Sequence, residues 1–163
     1  MKKHLLVRII AVIILLAAVF YVGWLKSQPP PTSIEYKNTD YGFTVTLPLS
    51  WQGYTVSADR WTGYAIGGTG DVAAATGPFI SIHNPRWTGA NTYQDIPIYV
   101  FTISQWADLQ AEKFHISAAP IGPSELGRNA KYVFALPARY NFAFPSGYEE
   151  VERIMQSKPL TAF

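Results

Sequence analysis

Thr39-Asp40-Tyr41-Gly42-Phe43-Thr44-Val45-Thr46-Leu47-Pro48-Leu49-Ser50-Trp51 is the stretch that decides the fold. Phe43, Val45 and Leu47 alternate with Thr44 and Thr46. That period of two sets three apolar side chains on one face of a strand and two hydroxyls on the other. Asp40 and Gly42 are turn residues before it, and Pro48 and Ser50 stop it. Trp51 follows with a large apolar surface suited to closing a core. A half-buried strand between turns implies a sheet with something packed against it.

Working outward, Ile34 to Tyr36 reads as a partner strand across the Asn38 to Gly42 turn. Gly53 to Val56 and Trp61 to Ile66 read as two further strands separated by Ser57-Ala58-Asp59-Arg60, and Gly67 to Asp71 as a loop. Phe79 to His83 is a strand after Gly77-Pro78, and Asn84 to Asp95 a longer loop. Ile96 to Ile103 is apolar on both alternating faces, as is Tyr132 to Leu136. Strands of that kind need cover on both sides and belong in the middle of a layered structure. Ser104 can cap a helix carrying Trp106, Ala107, Leu109, Ala111 and Phe114. Ser146-Gly147-Tyr148-Glu149 has the spacing of a capping box, opening a helix with Tyr148, Val151, Ile154 and Met155 on its apolar face. The early connections are too short for helical crossovers. The fold expected is therefore α+β, a mainly antiparallel sheet flanked by helices.

The amino terminus has a different character. Lys2, Lys3 and Arg8 precede Ile9 to Leu25, an uncharged and strongly apolar run with Phe20, Tyr21 and Trp24 at its far end. As a helix it would extend about 25 Å, near the lower limit for a bilayer. The basic flank places the remainder of the chain on the extracytoplasmic side. No small-x-small cleavage site falls between Tyr21 and Lys26, so the reading is an uncleaved anchor rather than a removed signal peptide. Ser27 to Ser33 contains Pro29-Pro30-Pro31, a stiff spacer. The organisation expected is an anchor at 1–26, a linker at 27–33 and one extracytoplasmic domain at 34–163, in the cell membrane as a single-pass protein.

Charge and composition exclude several functions. Three of the 13 basic residues lie before Ile9, leaving ten against 11 acidic ones, so nothing favours nucleic acid. Without cysteine there is no disulfide framework, thiolate metal site or lipid attachment. Gly-x-Ser-x-Gly, Gly-x-Gly-x-x-Gly, P-loop and His-Glu-x-x-His patterns are all missing. Neither catalytic residues nor a cofactor are expected.

Six residues remain as candidate ligand contacts. His83 shares a strand face with Phe79 and Ser81, and Arg86 and Trp87 follow closely, with Asp95 as a potential orienting carboxylate. A metal or acid/base cluster of His83, His115 and Asp95 requires that the three meet. The alternative for His115 is a structural place at the end of the first helix. Arg128 and Arg139 flank the Tyr132 to Leu136 strand and suit a carboxylate ligand, the alternative being an ion pair with Glu125 or a carbonyl contact in an irregular loop. Trp61, Tyr64, Trp87, Tyr93 and Tyr140 fall in or beside loops, where they are either core or a binding surface.

Tyr41-Gly42-Phe43 followed by Leu47-Pro48 and Trp51, with a carboxy-terminal helix at Tyr148 to Met155, resembles the domain shared by PsbP and Mog1 proteins. The resemblance implies an antiparallel sandwich and an accessory or protein-binding role. Gly122 to Asn129 and Ala135 to Asn141 are similar to uncharacterised, singly anchored bacterial membrane proteins. Neither resemblance supplies catalytic residues. The function expected is a membrane-anchored module that binds a protein or envelope component. The alternatives are a small-ligand or metal-binding domain, or a hydrolase without familiar motifs.

Overall fold

The Asn38 side chain starts the fold by accepting the Tyr41 N–H at 3.0 Å, while the Gly42 N–H reaches the Asn38 carbonyl at 3.1 Å. In this computed structural model, which describes residues 13–14, 17–18, 21, 32–67, 72–116 and 121–163, that turn joins β1 (Ser33–Asn38) to β2 (Phe43–Pro48). Gly42 has φ +78°, and a Cβ there would lie 2.6 Å from the Phe163 carbonyl oxygen, so only glycine fits. The alternation in β2 is as read: Phe43, Val45 and Leu47 are at most 1% exposed. A 3-10 turn at Leu49–Trp51 then tucks Trp51 fully inside. β9 (Leu160–Ala162) pairs with the other edge of β2, completing a three-stranded antiparallel sheet.

The second sheet has six strands in the order β6-β3-β4-β5-β8-β7, every ladder antiparallel. These are β3 (Thr55–Ala65), β4 (Ala73–His83), β5 (Ile96–Thr102), β6 (Phe114–His115), β7 (Ser124–Arg128) and β8 (Tyr132–Leu136). The two strands expected on either side of Ser57-Ala58-Asp59-Arg60 are one continuous strand. Thr55 to Arg60 is exposed throughout, so no apolar alternation marks it. β4 likewise runs through Gly77-Pro78. Pro78 is tolerated because β5 pairs with β4 only from Phe79 onward, leaving no ladder bond for its missing N–H to break.

Helix α1 (Ile103–Gln110) follows β5, and α2 (Tyr148–Gln156) precedes β9. The cap of α1 is Thr102, not Ser104: the Thr102 hydroxyl accepts the Gln105 N–H at 3.2 Å, and the Gln105 side chain accepts the Thr102 N–H at 2.9 Å. The helix stops before Phe114 because Glu112 turns to φ +55°. α2 begins where expected, but Gly147 at φ +82° caps it without a side-chain bond. The Ser146 carbonyl instead accepts the Gln94 N–H at 2.9 Å.

The domain is thus α+β with mainly antiparallel sheets and two helices. One correction concerns the cover of the central sheet. One face packs against α1, through Trp61, Phe101, Trp106, Phe114, Val133 and Ala135. The other packs against the three-stranded sheet as well as α2, with Phe43, Leu47, Ile80, Ile98, Phe134 and Val151 interlocked between the layers. β5 sends Ile96, Ile98 and Val100 to one core and Tyr99 and Phe101 to the other, the two-sided burial its sequence implies. Each fully buried phenylalanine or isoleucine contributes about 2–3 kcal/mol.

The chain divides into two units, Met1–Thr32 and Ser33–Phe163. Most of the expected anchor at 1–26 lies outside the described residues; Ile13, Ile14, Ala17, Ala18 and Tyr21 are individually helical. Among the described residues no helix is long and apolar enough to cross a membrane.

Candidate functional site

The pleat of β3 and β4 places Ser57, Ser81 and His83 on the same sheet face as Trp61 and Phe79, because positions two apart share a face. α1 covers Trp61 but the face continues past it. There Ser57 pairs with Ser81 and Thr55 with His83, so the diagonal neighbours Ser57 and His83 meet. The His83 Nε2 lies 2.8 Å from the Ser57 Oγ. On the other side of the ring, Nδ1 lies 2.7 Å from the Asp95 Oδ2. With Nδ1–H donating to the carboxylate, Nε2 is left as the acceptor for the serine hydroxyl. The Asp95 Oδ1 accepts the Asn84 N–H at 3.1 Å, which fixes the carboxylate in turn.

His83 and Asp95 close the ends of the β4–β5 loop, and two buried amides hold its interior. Asn84 is 2% exposed, and its Oδ1 accepts the Arg86 N–H at 3.0 Å and Nε–H at 3.3 Å. Gln94 is 5% exposed, and its Nε2 donates to the carbonyls of Asp95 at 2.9 Å and Tyr140 at 3.3 Å. That second bond, with the Tyr93–Ser146 bridge, ties the β4–β5 loop to the β8–α2 loop. Beside this junction lies a cleft of about 400 Å³, lined by Phe79, Tyr93, Asp95, Tyr99, Tyr140 and Pro145 among others.

The six candidate residues separate into two groups. His83 and Asp95 are in direct contact, and the Trp87 ring centre is 5.9 Å from that of His83. Arg86 reaches this group only through Asn84. Its guanidinium stacks 4.9 Å over Tyr93 and pairs with Glu150, so its charge is already engaged. Arg128 and Arg139 are elsewhere. Arg128 forms a two-pronged ion pair with Glu125, Nε to Oε1 at 2.7 Å, the alternative weighed for it. That pair holds the Glu125 carboxyl below its usual range, chiefly through the hydrogen bonds from Arg128. Arg139 has φ +53° and lies 5.8 Å from the Phe142 ring.

The cluster of His83, His115 and Asp95 does not form. His83 pairs with Thr55 and His115 with Tyr64, nine positions along β3 and roughly 30 Å apart. His115 is not at a helix end either; Phe114 fills the space above Gly63 and carries its neighbour into β6. Among the described residues no three His, Asp or Glu side chains converge as a metal site.

The aromatic residues divide by location. Trp61 is core at 3% exposed, and its Nε1–H donates to the Val100 carbonyl at 3.0 Å. Tyr64, Tyr93 and Tyr140 are half-buried. Trp87 is 46% exposed, and it is joined by Phe142 at 71% and Phe144 at 67% on the tied β8–α2 loop. Phe142 and Phe144 were not among the candidates, although two phenylalanines between Asn141 and Pro145 are a signal of unburied apolar surface. Ser57 was missed because it sits in a polar run without periodicity. A larger groove of about 730 Å³ beside β7 and the end of α2 brings no reactive groups together; its Glu125 is taken by Arg128 and its Glu152 by Asn141.

No family model, curated protein or solved structure matches the chain.

Proposed function

We propose that this chain is a membrane-tethered, extracytoplasmic module that binds a protein or cell-envelope component through its β4–β5 and β8–α2 loops. The observation carrying this reading is the exposure of Trp87, Phe142 and Phe144 on two loops that hydrogen bonds tie to each other. Exposed aromatic side chains on pre-organised loops are the usual anchors of a binding surface. The apolar run at Ile9 to Leu25 and the proline spacer support the tether. The PsbP- and Mog1-like opening supports an accessory role in a sandwich of that kind.

The test is chemical crosslinking in intact membranes of the full chain against a Phe142→Ser, Phe144→Ser double variant. A defined adduct present in the first and lost from the second supports the reading. An unchanged adduct pattern removes it.

A second reading, a small-ligand site, is favoured by the aromatic cleft of about 400 Å³ with Asp95 in its wall.

A further inference from the structure

We propose that Ser57, His83 and Asp95 form a nucleophilic site that hydrolyses carboxylic esters, an activity beyond binding.

Three requirements of such a site are met on one sheet face. The nucleophile is exposed and hydrogen-bonded to a base: the Ser57 Oγ is 2.8 Å from the His83 Nε2. The base is oriented by a carboxylate: the His83 Nδ1 is 2.7 Å from the Asp95 Oδ2. The carboxylate is itself held, by the Asn84 N–H at 3.1 Å. Each member comes from a different segment: Ser57 from near the start of β3, His83 from the end of β4, Asp95 from the loop residue just before β5. Only the folded sheet assembles them.

The chemistry balances with water as the sole co-reactant. The Ser57 Oγ attacks the ester carbonyl carbon while its proton passes to the His83 Nε2. The resulting imidazolium is stabilised by Asp95. The bond from the carbonyl carbon to the leaving oxygen then breaks, and His83 returns the proton to that oxygen, releasing the alcohol. Water repeats the sequence on the acyl-serine, with His83 taking its proton, and releases the acid and the free serine.

Charge on the carbonyl oxygen needs a donor. β3 offers backbone N–H groups for this. Alternate N–H groups of an antiparallel strand point to opposite sides. Among the described residues β6 pairs with β3 only at Tyr64 and Ala65, so the outer edge beside Ser57 is uncovered. The Arg60 N–H lies on that open side, donating to the Asp59 Oδ1 at 2.7 Å, so by alternation the outward N–H groups beside Ser57 are those of Val56 and Ala58. Esters suit this site better than amides because an open strand gives little enclosure and the alcohol leaves more readily. The Trp87 ring, 5.9 Å from His83, supplies a flat apolar wall for a short acyl or aryl group.

The experiment uses the full chain in detergent micelles with p-nitrophenyl acetate and a fluorophosphonate probe. We expect saturable hydrolysis and a probe adduct mapped to Ser57 by mass spectrometry. Ser57→Ala and His83→Gln should reduce both to the buffer rate. Asp95→Asn should lower kcat by at least about a hundredfold with KM unchanged, the pattern of a positioning residue. A single cooperative thermal transition, at or somewhat below that of the wild type, shows that each variant is folded. Wild-type protein that hydrolyses at the buffer rate and carries no adduct on Ser57 overturns the proposal, as does full labelling of His83→Gln. Either result leaves the loop-surface reading standing, because that is read by crosslinking.

Discussion

His83 and Asp95, 2.7 Å apart, are the two ends of the loop that displays Trp87. One hydrogen-bonded pair therefore both closes the β4–β5 loop and orients an imidazole toward Ser57. The side chains are about a quarter and a fifth exposed, so water competes only partly for the bond.

Removing the carboxylate should loosen that loop. Asp95→Ala strips partners from the His83 ring and from the Asn84 N–H. We expect a loss of about 1–3 kcal/mol in urea unfolding of the full chain in detergent. Faster protease cleavage should appear between residues 84 and 95. An unchanged midpoint and cleavage rate would show that the pair closes nothing.

The core under α1 depends on two missing side chains. A Cβ on Gly77 would meet the Trp61 ring at 2.6 Å, and one on Gly63 would meet the Phe114 ring at 2.4 Å. Gly77→Ala should therefore force Trp61 out of position and cost about 1–3 kcal/mol. The loss should be visible as a lower urea midpoint and altered tryptophan fluorescence.

Phe134 is fully buried between the layers, with its ring centre 4.6 Å from that of Phe43. Phe134→Ala should open a cavity touching both sheets and cost about 3–5 kcal/mol. Calorimetry should record a single lowered transition; two separated transitions would mean the sheets unfold independently.

Glu125 and Tyr99 each give an expected pH dependence. Arg128 lowers the Glu125 carboxyl below its usual 4.5, so the pair's contribution is complete above that pH and lost as pH falls through the depressed value. Glu125→Gln should be less stable than wild type at neutral pH and converge with it in acid. Burial raises the Tyr99 phenol above its usual 10.0, so that contribution is complete below pH 10 and lost as pH rises through the raised value. Tyr99→Phe should flatten the alkaline limb of a stability–pH curve.

Much of this fold was legible because burial leaves a period in the sequence. β2 announces itself through Phe43, Val45 and Leu47, and β5 and β8 through apolar residues on both faces. Where cover is missing, the period vanishes. Ser57 to Arg60 and Ala73 to Pro78 form strand segments whose faces stay largely wet, so they read as linkers and loops. β1 and β2 were readable as a pair, but the third strand of their sheet was hidden for a related reason: β9 is three residues long and follows Lys158 at φ +53°, with no room for a pattern. In the site, His83 and Asp95 were suggested by their types at the two ends of one loop. Ser57 was not, because its nearness to His83 depends on the register of β3 against β4. Thr102-x-x-Gln105 was readable as a cap and was passed over for Ser104.

The most direct test of the proposed role is site-specific photocrosslinking in intact membranes, with a benzophenone amino acid at Trp87, Phe142 or Phe144 and, as control, at exposed Ile103 on α1. The account predicts one shared adduct from the three loop positions and none from Ile103. The same adducts from all four positions, or none from the loops, would contradict it.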